Sequence, residues 1–146
     1  MIRILVSVAP IDLADEMARI EGQDVGAVAS FCGLVRADDG VDTLELEHYP
    51  GATEAALDRI AREAVERWSL QAATIIHRVG PMRPGERIVL VLAAAPHRRD
   101  ALDACAYLID RLKTDAPFWK RETRGDDARW VEARKSDTAA AERWTA

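Results

Sequence analysis

The sequence predicts an α+β fold: a mixed, mostly antiparallel sheet with two long helices. Three observations carry that reading. Apolar residues recur at helical spacing over 52–68 and again over 98–113. Several shorter stretches alternate apolar and polar residues with period two. These strand-like stretches fall largely in neighbouring pairs, giving the order β-α-β-β-α-β-β-α-β, in which hairpins outnumber helix crossovers.

Each element has a local cause. Residues 2–8 alternate, with Ile2, Ile4, Val6 and Val8 on one face of a predicted strand. Pro10 and Asp12 open a short helix, Asp12 as N-cap and Leu13, Met17 and Ile20 inward. A small apolar stretch over 26–31 predicts the second strand, and 33–42, with Asp38-Asp39-Gly40, a loop. In 43–49, Leu44, Leu46 and His48 oppose Glu45 and Glu47, and Pro50-Gly51 ends that strand. Leu57, Ile60, Ala61, Ala64 and Trp68 form the inner stripe of the helix over 52–68. Strands over 73–79 and 87–94 form a hairpin around Pro81 and Pro84-Gly85. Leu102, Cys105, Ala106, Ile109 and Leu112 are the expected inner stripe of the helix over 98–113, which Pro117 cannot continue. A short extended piece surrounds Trp130-Val131, ahead of a polar tail.

The 146 residues suffice for one domain, 1–146, with a real hydrophobic core. Apolar residues make up 49% and charged residues 31%, a globular rather than disordered composition. A net charge of -5 argues against general nucleic-acid binding, which needs clustered cations, but leaves room for a small anion. No apolar run approaches the roughly 18 residues of a membrane span, and the N-terminal apolar run is too short for a signal sequence. The expected location is cytoplasmic. Cys32 and Cys105 are too few for a disulfide framework or a zinc site. His48, His77 and His97 show no metal-ligand spacing, and no phosphate-loop or dinucleotide fingerprint is present. No metal or cofactor is expected.

Three clusters can carry chemistry. In Lys113-Thr-Asp-Ala-Pro-Phe-Trp-Lys120-Arg121-Glu122, two lysines flank a proline-broken segment and can point into one space, with Phe118 and Trp119 as a wall. A partly desolvated ammonium binds phosphate or carboxylate, or loses its proton to become a base or nucleophile. Two solvated surface lysines are the alternative. In Pro96-His97-Arg98-Arg99, a helix start offers outward N–H groups to an anion, and arginine adds bidentate recognition; His97 as a simple cap is the alternative. His77, at a strand end, reads first as a buried, hydrogen-bonded histidine. Arg36 and Arg134 carry no signal alone. Cys105 lies on an apolar stripe and reads as core.

Taken together, several segments resemble the large, catalytic subunit of molybdopterin synthase, the MoaE family. They are Gly33-Leu-Val-Arg36, Leu46-Glu-His-Tyr-Pro-Gly51, His77-Arg-Val-Gly80 with Pro84-Gly-Glu86, Pro96-His-Arg98, Leu112 through Glu122, and Arg129-Trp-Val-Glu-Ala-Arg134. Their order and spacing span nearly the whole chain. The resemblance implies an α/β-hammerhead type of α+β fold and a sulfurtransferase of molybdenum cofactor biosynthesis. Its substrate would be cyclic pyranopterin monophosphate, converted to the dithiolene of molybdopterin. Two sulfurs would come from the C-terminal Gly-Gly thiocarboxylate of a small ubiquitin-like sulfur-carrier subunit. A homodimer of large subunits would form the core of a heterotetramer. By position, the catalytic lysines are Lys113 and Lys120. Substrate binding falls on Val35, Arg36, His97, Arg98, Lys113, Lys120, Arg121, Glu122 and Arg134. Leu34 stands where family members often carry lysine. The rival readings are a phosphate-ester-processing enzyme using the His97-Arg98 turn and an RNA-binding module using tryptophan and arginine.

Overall fold

The computed structural model describes residues 1–37, 40–131 and 140–144. The elements are β1 (Ile2–Ser7), α1 (Leu13–Glu21), β2 (Ala27–Leu34), β3 (Thr43–His48), α2 (Ala52–Trp68), β4 (Ala72–Arg78), β5 (Gly80–Met82), β6 (Arg87–Ala95), α3 (Arg98–Asp115), β7 (Phe118–Arg124) and β8 (Asp127–Val131). They build two four-stranded sheets, ordered β1-β4-β6-β2 and β5-β3-β7-β8. Among the described residues, only the β1–β4 pair is parallel; the other pairs are antiparallel. This is the mixed, mostly antiparallel α+β arrangement the sequence predicts. Among the described residues, no helix is long and apolar enough to cross a membrane.

The first sheet is covered on both faces. One face of β4, through Ala73 and Ile75, joins the main core with Leu57, Ile60, Ala61 and Ala64 of α2 and Ala104, Leu108 and Leu112 of α3. The other face, through Ala72 and Ile76, packs with Ile20 of α1. Burial on both faces explains why β4 and β6 read as continuous apolar runs and not as alternating strands. The second sheet caps the main core through Leu44, Leu46 and Met82.

Local signals held where the cause is local. Asp12 caps α1 through a 3.0 Å bond accepted from the Asp15 amide, and α2 spans the predicted interval. The stripe of α3 is a correction. Leu102 is 59% exposed, and the buried face is Ala101, Ala104, Cys105, Leu108 and Leu112. The helix is rotated by about one residue, roughly 100°, because small alanines let its backbone approach the sheet. Val8 is also a correction: it lies beyond β1 and is exposed.

The largest departure is β7. The segment predicted as a proline-broken connection is a strand paired with β3 on one side and β8 on the other. Its sequence, Phe-Trp-Lys-Arg-Glu-Thr-Arg, lacks apolar alternation, so period-two reasoning passes over it. Ala116, ahead of Pro117, takes an extended conformation (φ -82°, ψ 127°), as a residue before proline must, and this turns the chain from α3 into β7. Thr53, fully buried at the start of α2, donates from Oγ1 to the Pro117 carbonyl at 3.0 Å. That bond fixes the turn and with it the position of Lys120.

Candidate active site

A cavity of about 130 Å³ opens where the two sheets meet the end of α3. Each element delivers its side chains for a structural reason. The end of β2 and the segment after it supply Leu34, Val35 and Arg36; the Val35 amide donates to the Glu86 carbonyl at 2.9 Å and the Gly85 amide to the Val35 carbonyl at 2.8 Å. Lys113 comes from the last turn of α3, where the helix dipole favours a cation. Strand β7 supplies Lys120, Glu122 and Arg124, the residues of one face of its pleat. Val41, Leu44 and Ile88 form an apolar floor.

The structure thus brings together Val35, Arg36, Lys113, Lys120 and Glu122. Arg121 pairs in register with Glu45 and Trp130 on the opposite face of β7 and is exposed. Trp119 shares that outer face, packed edge-on to Tyr49 and Trp130, so it does not wall the cavity as expected. Arg134 lies outside the described residues. Sequence reasoning missed Arg124, for which only the alternation of a recognised strand would have given a signal.

His97 and Arg98 stand elsewhere. They line an open groove of about 480 Å³ with Gly26, Ala27, Pro96 and Arg99. His97 is the N-cap residue of α3 but makes no side-chain cap bond. The chain is tight here: a Cβ on Gly26 would fall 2.1 Å from the Pro96 carbonyl oxygen. Arg98 and Lys113 are fifteen residues apart on α3, about 22 Å at 1.5 Å per residue. One chain therefore cannot close both groups around a single phosphate. A third groove, about 550 Å³ beside β1, has its arginines engaged: Arg3 with Glu16 at 2.7 Å and Arg19 with Asp15 at 2.9 Å.

His77 lies beneath the lysines. It is buried, stacks on Phe118 with ring centroids 4.1 Å apart, and its Nδ1 sits 2.8 Å from the Arg78 carbonyl. Burial, and then the charges of Lys113, Lys120 and His48, hold its pKa down to about 3 against the pull of that hydrogen bond. The ring is therefore neutral, and Nδ1 must carry the hydrogen because a carbonyl only accepts. The unfolded chain binds a proton near pH 6.5 that the folded imidazole refuses, so this stability is present above that pH and lost on acidification. Between about pH 6.5 and 5 the expected loss is about 2 kcal/mol. Urea unfolding of the native protein and of His77→Phe at both pH values measures it; equal pH dependence would contradict the assignment.

The MoaE protein family model matches residues 6–115. The molybdopterin synthase catalytic subunit of Mesorhizobium japonicum is 56% identical over 138 residues, covering 91% of this chain and 87% of that protein. The molybdopterin biosynthesis MoaE protein of Burkholderia ambifaria superposes with a TM-score of 0.86 at 47% identity, over 100% of this chain and 99% of that one. Molybdopterin synthase from Staphylococcus aureus superposes at 0.80 with 34% identity, over 88% and 96% of the two chains.

Proposed function

The chain belongs to the MoaE protein family, and on that premise we propose that it is the catalytic subunit of a molybdopterin synthase, a cytoplasmic sulfurtransferase of molybdenum cofactor biosynthesis. It converts cyclic pyranopterin monophosphate to molybdopterin with two sulfurs delivered as the C-terminal thiocarboxylate of a small ubiquitin-like subunit. The observation that carries this reading is the convergence of Arg36, Lys113 and Lys120 on one cavity. Preorganised cations there hold an anionic tail and the negative charge that develops as sulfur adds. Lys113 orients the thiocarboxylate. Lys120 serves as a second clamp or as general acid for the departing oxygen.

The phosphate site is completed by a second copy of the chain. His97 and Arg98 stand at the start of β2, beside Gly26 and Ala27, while Arg36 follows its end. Strand β2 is an edge of its sheet and exposes Phe31 and Leu34. A two-fold axis near its middle would set the His97-Arg98 turn of one protomer against the Arg36, Lys113 and Lys120 of the other. Charge-assisted hydrogen bonds from both chains then hold the phosphate. Glu122, which lines the cavity, and Arg134 belong to the same proposed substrate-binding set; Arg121, on the outer face of β7, would meet a ligand only outside the cavity.

Reconstitution tests the reading: this protein, a thiocarboxylated partner ending in Gly-Gly and the cyclic pterin phosphate, with dithiolene formation as readout. Turnover of phosphate esters without any partner, and no dithiolene with one, would instead favour the hydrolytic alternative at the His97 turn. Neither cysteine is needed as sulfur donor. Burial pushes the Cys105 thiol up to about 11, so it is not a thiolate at neutral pH, and Cys32 is half-buried at a strand edge. Cys32→Ser/Cys105→Ala is expected to retain sulfur transfer at a stability cost of about 1–2 kcal/mol. A folded double variant without activity would overturn the external-donor reading.

A further inference from the structure

Two segments that stand out in the sequence, His77-Arg78-Val79-Gly80 and Pro84-Gly85-Glu86, meet in the folded chain. Arg78, at the end of β4, has a side chain only 10% exposed. A guanidinium so buried needs polar partners. Its Nη2 donates to the Val8 carbonyl at 3.1 Å, and its Nη1 lies 3.7 Å from Glu86 Oε1. The other oxygen of that carboxylate, Oε2, accepts from the Arg83 amide. The Glu86 amide in turn donates to the Arg83 carbonyl at 3.1 Å. Arg83 and Glu86 thus close a turn by two bonds, with Gly85 inside it at φ +90°, a conformation that glycine adopts without strain.

That turn grips the strand end that leads into the cavity. The β2–β6 ladder slips between Gly33 and Leu34, where β6 carries the extra residue Ile88. Beyond the slip, the Val35 amide donates to the Glu86 carbonyl at 2.9 Å, and the Gly85 amide donates to the Val35 carbonyl at 2.8 Å. Val35 is buried, and Arg36 next to it lines the cavity with the two lysines. We propose that Glu86 is a positioning residue for Arg36. Its carboxylate, steadied by Arg78, closes the turn whose backbone clasps Val35, and the clasp sets where the Arg36 guanidinium enters the cavity. A carboxylate suits the task because its charge strengthens the bond from the Arg83 amide. An arginine on a backbone fixed beforehand loses less freedom when an anion binds, so it binds more tightly. The inference rests on the reading of Arg36 as a substrate-binding residue, but its first readout is independent of sulfur transfer.

The experiment is amide hydrogen exchange, followed by NMR, on the native protein, Glu86→Ala and Glu86→Gln, with the reconstituted dithiolene assay as the second readout. Glu86→Ala removes the acceptor for the Arg83 amide at an exposed position. Exchange at the Val35 and Gly85 amides speeds up by about tenfold, while amides within the β4–β6 ladder keep their native rates. The KM for cyclic pterin phosphate rises by about tenfold and kcat stays within about twofold, the pattern of lost ground-state binding. Glu86→Gln keeps an acceptor oxygen and stays near native in both readouts. Glu86→Ala/Arg36→Ala has the KM of Arg36→Ala alone, because the clasp acts through Arg36. Native exchange at Val35 in Glu86→Ala overturns the proposal, whatever the reaction does. So does a fall in kcat at unchanged KM, which marks lost folded protein and not lost position, or a double variant whose effects add. If Glu86→Ala does not fold, Gly85→Ala strains the same turn with the carboxylate intact and must speed exchange at Val35; a native rate there overturns the proposal. Absence of dithiolene formation by the native protein would instead remove the functional reading, and exchange at Val35 would still decide the clasp.

Discussion

Lys113→Ala is expected to lower dithiolene formation by about two to four orders of magnitude, and Lys120→Ala to do the same. Neither loss comes from unfolding. Both side chains are only partly buried and line a cavity, and removing a cation from the last turn of α3 costs at most about 1 kcal/mol. Both variants should still bind the small subunit, because a tail-binding surface is larger than one ammonium. Single-turnover assays with thiocarboxylated partner measure the chemical step, and calorimetric titration of the partner measures binding. Near-normal turnover in both variants would refute the placement of the lysines at the reacting atoms. A loss of partner binding equal to the loss of turnover would make them docking residues.

Inactive variants are expected to rescue one another. The His97→Ala/Arg98→Ala variant and the Lys113→Ala variant each lack activity alone. If one site draws on two chains, their mixed dimer has one intact site and one site missing both contributions. Random re-pairing makes half the dimers mixed, so specific activity recovers to about a quarter of the native value. If each site lay within one chain, no dimer in the mixture would hold a complete set and the mixture would stay inactive. The discriminating geometry is the separation of the two groups along α3. Denaturing, mixing and refolding the two variants, followed by the same dithiolene assay, gives the answer.

Much of the lining of the candidate cavity was legible in the sequence, but its assembly was not. Lys113 and Lys120 converge on one cavity, as their placement either side of Pro117 suggested. The aromatic wall did not form as expected, since Phe118 stacks on His77 while Trp119 turns outward. His77 itself met the first reading of it, buried and hydrogen-bonded. Its position under the lysines depends on the pairing of β3 with β7, which brings Phe118 opposite His48. That pairing joins residues some seventy positions apart, and no local periodicity encodes it.

The sequence by itself determined the elements whose cause lies within a few residues. These are the apolar stripe of α2, the Asp12 cap, the hairpin of β4 and β6, and the end of α3 ahead of Pro117. Period, capping and proline geometry act over one turn or one pleat, so they can be read from adjacent positions. Tertiary structure decided the rest. It selected the alanine face of α3, made a strand of β7, brought Arg124 into the cavity that Lys120 lines and set His97 and Arg98 far from Lys113. Each of these outcomes depends on register and close approach between distant segments, where the favourable contact exists only once both partners are folded.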